Sequence, residues 1–501
     1  MVVVQSNEFE GGVPSRLRFW LGVAGIALLS LGLHFWRLGQ FNTLVFDEVY
    51  YARFAGHYLL GQQLFGGHPP LSTYIIVLGI WIAQRTPIGD GGIQNGLTGL
   101  MLSPVDYRWI DALTGSLLPL LAIALACQLG IVAGVSETRR QCYGLVAGLF
   151  FALDGFFLVE SRYALINIYM VFLGLLGLWA VLWAMAGKRL WRWRLHSGFL
   201  LAGIALGASV AVKWNGLGFM LGLYVLLGLS YMLHGWARWQ TGHAGLGRSL
   251  VARFASIPLG CGILYWAIVP ALTYYLAWIP YIRLNPERNF WQWHAYTLDY
   301  HSRIGGPDIH PYCSAWYTWP LMLRPIAYFF KTAHARGEPA PVIGPPLPNS
   351  QWAIAYDVHA MGNPFSWWLG TAAIALVLVM VLVGLWQWFF SSSTQPLMLQ
   401  SSSFGIALFL GVQWAANWLP WLLVSRCVFI YHYMSALAFA LLAIAWFVSL
   451  WLQSVIPSHR LMGMTIVWIV VVAFVFWVPL YLGIPLSGAE LHWRQWIPSW
   501  V

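Results

Sequence analysis

Long apolar runs separated by short polar breaks dominate this chain. A helix that crosses a membrane needs about 20 mostly apolar residues. Eleven stretches approach that length: residues 19–36, 109–129, 143–159, 163–186, 199–212, 217–233, 257–279, 367–390, 404–423, 428–452 and 461–482. The run at 199–212 is the shortest of them. A twelfth, 71–83, is shorter still and is expected to lie at the interface rather than cross. Just beyond the first run, Tyr50, Phe54 and Tyr58 recur every four residues, as do Tyr51, Ala55 and Leu59. That spacing predicts a short helix with one apolar stripe, which would lie flat at the membrane surface. The first run is too long for a signal-peptide core and no small-residue cleavage site follows it, so it reads as a retained helix. No internal repeat of fixed period occurs.

Composition gives the same picture. Of 501 residues, 59% are hydrophobic and 8% are charged, against about 25% charged in soluble proteins. The expectation is one all-α polytopic membrane unit. Its 32 Trp and 23 Tyr suit the two membrane–water interfaces. With the N-terminus in the cytoplasm and 71–83 not crossing, the inner side holds twelve basic residues (Arg16, Arg18, Arg139, Arg140, Lys188, Arg189, Arg192, Arg194, Arg238, Arg248, Arg253 and Arg460) against Glu8, Glu10 and Glu137. The other 14 basic and 13 acidic residues fall outside. Nearly all of the net charge of +10 is then inside, the usual bias of membrane proteins. A crossing at 71–83 would move the Lys188–Arg194 cluster outside, so eleven crossings are expected, with the C-terminus outside. Two stretches project outward, 39–106 and 280–366. A four-helix part, 367–501, completes the single membrane domain, and 391–403 is a plain inner linker.

The basic residues form no continuous stripe, which excludes a nucleic-acid partner. Five Cys include no CxxC pair. Cys127 and Cys261 lie in apolar runs, whereas Cys313 and Cys427 could meet outside, although nothing in their spacing requires it.

The unusual polar clusters all fall on the outer side. Phe46-Asp47-Glu48 and Arg53 follow the first run, and His68-Pro69-Pro70 comes next. Asp154-Gly155, Glu160-Ser161-Arg162 and Lys213-Trp214-Asn215-Gly216 sit at outer ends of later runs. His310-Pro311-Tyr312, Trp319-Pro320, Arg324-Pro325, Gly362-Asn363-Pro364, Arg426 and Tyr431-His432-Tyr433 complete the set. Each has a plain structural reading: solvated loop carboxylates, snorkelling cations, satisfied histidines, turn residues, or Asp111 and Asp154 paired with Arg108 and Arg162. Scattered structural residues would nevertheless be split between the two sides. A carboxylate can take a proton from a hydroxyl, and cations at the same depth can stabilise a departing phosphate. No D-x-D occurs, so neither a metal nor a cofactor is expected, and a lipid-phosphate donor fits a site at the membrane edge.

On these residues the chain resembles the protein O-mannosyltransferase family of GT-C glycosyltransferases. The resemblance is carried by the acidic pair Asp47-Glu48, His68-Pro69-Pro70-Leu71, Arg108 with Gly115, Ser161-Arg162, and Val212 to Gly216. It continues through 310–325, Gly362-Asn363-Pro364, Leu419-Pro420-Trp421, Ser425-Arg426, Tyr431-His432-Tyr433-Met434 and a Trp-rich tail. The series HPY, WP, RP, GNP, YHYM is the most specific part. The resemblance implies a GT-C fold with about 11 transmembrane helices. It also implies inverting transfer of mannose from a polyprenyl-phosphate donor to Ser or Thr of exported proteins, at the outer face of the cell membrane. Eukaryotic relatives carry a β-trefoil insert of MIR repeats in the large loop, for which 280–366 is too short, so a bacterial-type member is implied. Eukaryotic relatives also dimerise, and a dimer stays open here. Asp47 is the expected base, and Glu48 would orient the acceptor or place Asp47. Arg162 and Arg426 are the expected phosphate ligands, with Lys213 next and His68 assisting. Arg53, Arg108, Asn167, His310, Tyr312, Asn363, Tyr431 and His432 are expected to bind substrate or support the site. The family usually carries Asp where this chain has Asn167, which removes one charge. Transfer from undecaprenyl phosphate to lipid A or another glycan, a transporter, and an inactive scaffold are the alternatives.

Overall fold

The apolar runs fold as helices whose ends are set by local chemistry. The computed structural model describes residues 15–89, 91–186, 192–241, 249–306, 309–348, 351–390 and 401–500. Glu8, Glu10, Lys188, Arg189, Arg248 and most of the linker 391–403 lie outside the described residues. In chain order the helices are α1 (Ser15–Phe35), α2 (Glu48–Leu59), α3 (Leu71–Ala83), α4 (Pro104–Ala133), α5 (Glu137–Ala152), α6 (Gly155–Glu160), α7 (Asn167–Met185), α8 (Arg192–Val212) and α9 (Leu217–Thr241). Then come α10 (Leu250–Ala255), α11 (Leu259–Ile263), α12 (Val269–Leu284) and α13 (Phe290–Arg303). After a strand pair follow α14 (Pro364–Phe390), α15 (Ser402–Trp418), α16 (Met434–Leu452), α17 (Pro457–Leu482) and α18 (Gly488–His492). α11 and α12 join through one π-helical turn into a single helix, Leu259–Leu284.

Among the described residues ten helices are long and apolar enough to cross a membrane. They account for ten of the eleven expected runs. The remaining run, 143–159, is broken. α5 ends at Ala152, and α6 starts afresh because the Asp154 carboxylate accepts from the amides of Phe156 (3.0 Å) and Phe157 (3.1 Å). Asp154 therefore caps a helix and makes no pair with Arg162, contrary to the structural reading of the sequence. The short run 71–83 is α3, packed on α2 and α4.

α16 is the central helix, with almost every residue from Met434 to Ser449 buried, and it packs on α5, α14, α15 and α17. In the first half of α4, Gly115 allows an unusually close approach. A Cβ there would sit 2.2 Å from Ser161 Oγ and 2.7 Å from His34 Nε2. Its missing side chain lets the turn before Arg162 press onto α4.

The sequence reading was wholly helical, but the large loop 280–366 also holds a hairpin. Strands β1 (Ile326–Ala333) and β2 (Ile354–Ala360) pair antiparallel, Ile326 with Ala360 through Ala333 with Ile354, with a bulge between Ala327 and Phe329. β2 is buried along its whole length and packs on α6 and α17. Both strands are rich in aromatic and β-branched residues, a weak signal among so many apolar runs. Cys313 and Cys427 form a disulfide, which ties this loop to the segment entering α16. Peptide mapping of the unreduced protein should return one pair of peptides joined through Cys313 and Cys427. Alkylation of both thiols without prior reduction would contradict the pairing.

Candidate active site

The acidic pair divides into two carboxylates with different surroundings. Glu48, in the first turn of α2, is fully buried. Its carboxylate accepts from Arg108 Nε (2.8 Å), Arg108 Nη2 (2.7 Å), Val45 N (2.7 Å) and Ala164 N (2.8 Å). Arg108 gives its remaining donors to the carbonyls of Leu38 (3.2 Å), Phe41 (3.0 Å) and Thr43 (2.7 Å). All five guanidinium N–H groups are used, none of them on Asp111, so the expected Asp111 pair does not form. The fork gathers α2, α4, the loop 38–45 and the turn before α7 at one point. Glu48 thus faces away from any acceptor, and of its two expected roles only the placing of Asp47 fits this geometry.

Asp47 is the contrasting partner. Among the described residues its carboxylate makes no hydrogen bond or ion pair. It follows Phe46, whose φ of +52° is a conformation that costs a bulky residue about 1–3 kcal/mol. The Phe46 ring is held there by stacking on Tyr328, with centroids 4.0 Å apart, while Val45 is tied to Glu48. Burial pushes the Asp47 carboxyl up to about 6, opposed by the nearby Lys213. The phenols of Tyr51, Tyr328 and Tyr431 also lie within electrostatic reach of Asp47.

Lys213 occupies the break between α8 and α9. Its backbone is extended (φ −158°, ψ 139°), and a 3-10 turn, Trp214–Gly216, restarts the chain. Gly216 is needed there, because a Cβ would lie 2.7 Å from the backbone of Ser209 and Val210. The ammonium donates to Asn167 Oδ1 (2.9 Å) and sits 4.7 Å above the Tyr431 ring. Burial lowers the lysine to about 8, opposed by Glu160 and Asp47. Asn167 Nδ2 donates to Glu160 Oε2 (3.1 Å), and the Tyr328 hydroxyl donates to Glu160 Oε1.

Beyond Lys213 opens a cavity of about 580 Å³, with His68, Lys213, His301 and Arg426 at its polar end and Leu217, Leu221, Pro420 and Trp421 among its apolar walls. A second cavity of about 520 Å³ shares Trp214, Leu217, Met220, Tyr224 and Leu298 with it, and it runs on between α9 and α12. Arg426 is held by its neighbours: Cys427 by the disulfide and by N–H donation to Gly305 O (3.1 Å), and Val428 O by Ser314 N (2.9 Å). His68 packs on His301 (centroids 5.4 Å), whose Nε2 bonds Gly67 O at 2.8 Å. Burial and the nearby cations Lys213 and Arg426 push His68 well below the usual imidazole range. Among the described residues no group of three His, Cys, Asp or Glu side chains is arranged to hold a metal ion.

The structure therefore brings together Asp47, His68, Asn167, Lys213, Arg426 and Tyr431, with the His432 ring tilted against Tyr431 and Trp421. It does not bring Arg162 there. That guanidinium is buried, and its Nη1 donates to the carbonyls of Leu33 (2.8 Å) and His34 (2.9 Å). It closes the C-terminal end of α1. Burial with no bonded counter-ion lowers Arg162 to about 10. Arg53 lies on the surface and donates to Leu97 O. His310 is exposed beside Phe429. Tyr312 underlies Arg324. Asn363 is buried and bonds Leu153 O and Val470 O. The sequence reading left Tyr51, Glu160, Tyr328 and His301 out of the site. Only Glu160 carried a usable signal, an acidic residue directly before Ser161-Arg162.

Residues 25–282 match the family described as dolichyl-phosphate-mannose-protein mannosyltransferase, and residues 286–500 match the C-terminal four-TMM region of protein-O-mannosyltransferase. The chain belongs to the protein O-mannosyltransferase family. The polyprenol-phosphate-mannose–protein mannosyltransferase of Mycolicibacterium smegmatis is 22% identical, over 98% of this chain and 94% of its own length. That of Mycobacterium tuberculosis is 23% identical, over 98% and 93%. The S. cerevisiae protein O-mannosyltransferase Pmt1-Pmt2 complex bound to the sugar donor has a chain that superposes with a TM-score of 0.72 at 15% identity, covering 96% of this chain and 92% of that one. The fold is the GT-C arrangement of a multi-pass membrane protein. In this protein O-mannosyltransferase, the Glu48–Arg108 fork predicts that Arg108→Met strands a buried carboxylate. The expected loss is about 3–5 kcal/mol, seen as a clearly lowered thermal midpoint in detergent, with Glu48→Gln milder. An unchanged midpoint for Arg108→Met would contradict the fork's role.

Proposed function

We propose that the chain is an inverting mannosyltransferase that moves mannose from a polyprenyl-phosphate donor to Ser or Thr hydroxyls of exported proteins. The observation that carries this reading is an unbonded carboxylate, Asp47, within electrostatic reach of Lys213, whose ammonium stands at the cationic end of an otherwise apolar cavity. Asp47 accepts the acceptor hydroxyl's proton, the freed oxygen attacks the anomeric carbon, and the sugar–phosphate bond breaks. Its electron pair leaves on the phosphate, and Lys213 and Arg426, with His68 as a neutral donor, stabilise that charge. The apolar groove along α9 accommodates the isoprenoid tail. Glu48, Arg108 and Arg162 hold the framework that aims Asp47.

The proposal includes the topology. α5 with α6 supplies an eleventh crossing, α2 and α3 lie at the outer interface, and the N-terminus is inside. Residues 39–106 and 280–366 form the outer face around the site, 367–501 supplies the four-helix part, and the whole is one domain of the cell membrane.

Asp47→Asn should remove transfer from polyprenyl-phosphate mannose to a Ser/Thr peptide by about 100-fold or more without loss of folded protein. In the unmodified enzyme, activity should rise as pH passes about 6, where Asp47 becomes the ionised base, and fall as Lys213 loses its proton near 8. Full activity of the Asn variant, or a rate flat across both limbs, would refute the assignment.

A further inference from the structure

The proposed chemistry sets Lys213 two requirements that conflict. The ammonium must stay charged to hold a phosphate, yet it is only 3% exposed, and a buried ammonium without a counter-charge is costly. The obvious counter-charge is Asp47. An ion pair there would occupy the carboxylate that has to accept the hydroxyl's proton, and no such pair forms.

The counter-charge is found one residue further away. Glu160 is fully buried at the end of α6. One carboxylate oxygen takes the Tyr328 hydroxyl and the other takes Asn167 Nδ2. Asn167 then turns its carbonyl oxygen to Lys213 Nζ. The amide has only one sensible orientation. Reversing it would set its NH2 against the ammonium and its oxygen against the carboxylate. Its dipole therefore runs from the anion to the cation. Resting on the transferase reading above, we propose that Glu160 is a positioning residue: through the Asn167 amide it supplies the counter-charge that keeps Lys213 ionised and aimed at the donor phosphate, leaving Asp47 free to act as base.

The remaining groups around Lys213 are consistent with that need. Arg426 repels its charge, the imidazoles of His68, His301 and His432 stand nearby, and Tyr431 lies beneath it. Around Glu160 stand Tyr328, Asn167, Lys213 and Asp47, with Tyr51 and Tyr431 also in reach. Glu160 and Asp47 are the two groups that favour the charged lysine.

The test uses the full-length enzyme, polyprenyl-phosphate mannose and a Ser/Thr peptide between pH 5 and 9, with the thermal midpoint measured for every variant. Glu160→Gln should raise the donor KM by about tenfold or more at pH 8. It should do so much less at pH 6, so the alkaline limb moves to lower pH. Asn167→Asp places two carboxylates in contact and should move the acid limb to higher pH. The double variant E160Q/N167D carries one carboxylate directly on Lys213 and should return the donor KM to within about threefold of the parent. If Glu160→Gln does not fold, Asn167→Ala breaks the same bridge and should give the same rise in donor KM. A parental KM and pH profile in either bridge-breaking variant overturns the proposal, as does a folded double variant no better than Glu160→Gln. Failure of the underlying reading looks different: the unmodified enzyme transfers nothing.

Discussion

A buried carboxylate–guanidinium fork, Glu48 on Arg108, is the constraint on which the candidate site depends. Arg108 rises from α4, a long helix rooted in the core, and it has no donor left over. Through it the loop after α1, the start of α2 and the turn before α7 share one anchor. An ion pair of this kind gains little over a well-packed apolar pair, but losing one partner is expensive. That asymmetry makes it a positioning device. It fixes the backbone at Val45 and Glu48, and it leaves the residue between Phe46 and Glu48 pointing elsewhere. Phe46 accepts a strained φ, and Tyr328 from β1 holds its ring in place.

The result is a separation of charge. Glu48 and Arg162 look inward, Glu48 held by four donors and Arg162 by the carbonyls of Leu33 and His34. Asp47 is unbonded, with Lys213, Arg426 and His68 gathered at the polar end of a mostly apolar cavity. Adjacent residues in the chain thus serve opposite purposes, and the alternation follows from the first turn of α2. A helix start turns successive side chains by about 100°, enough to leave Asp47 on the side of Lys213 while Glu48 enters the core against Arg108.

Much of this was legible in the sequence. Hydrophobic runs gave the long helices, because apolar length alone decides what can cross a bilayer. Polar residues at their outer ends marked the rim. Distinctions between similar residues were not legible. Arg162 and Arg426 look alike in sequence, each a cation beside Ser at the end of an apolar run. Only packing shows that one closes the carbonyl end of α1 while the other lines a cavity. Asp154 looked like an ion-pair partner and proved to be a helix cap that interrupts 143–159. Glu160 and Tyr328 are 168 residues apart, and no local pattern links them. The β1–β2 hairpin was hidden because its aromatic, β-branched strands resemble the rest of an apolar chain.

In the proposed reaction the donor phosphate rests between Lys213 and Arg426, with the scissile sugar bond exposed to Asp47. A structure of the enzyme with bound polyprenyl-phosphate mannose tests it most directly. Phosphate oxygens are expected within hydrogen-bond distance of Lys213 Nζ and the Arg426 guanidinium, the isoprenoid chain along α9, and the Asp47 carboxylate on the face of the sugar opposite the phosphate. A phosphate bound at Arg162, or one separated from Asp47 by the tyrosine cluster, would contradict it.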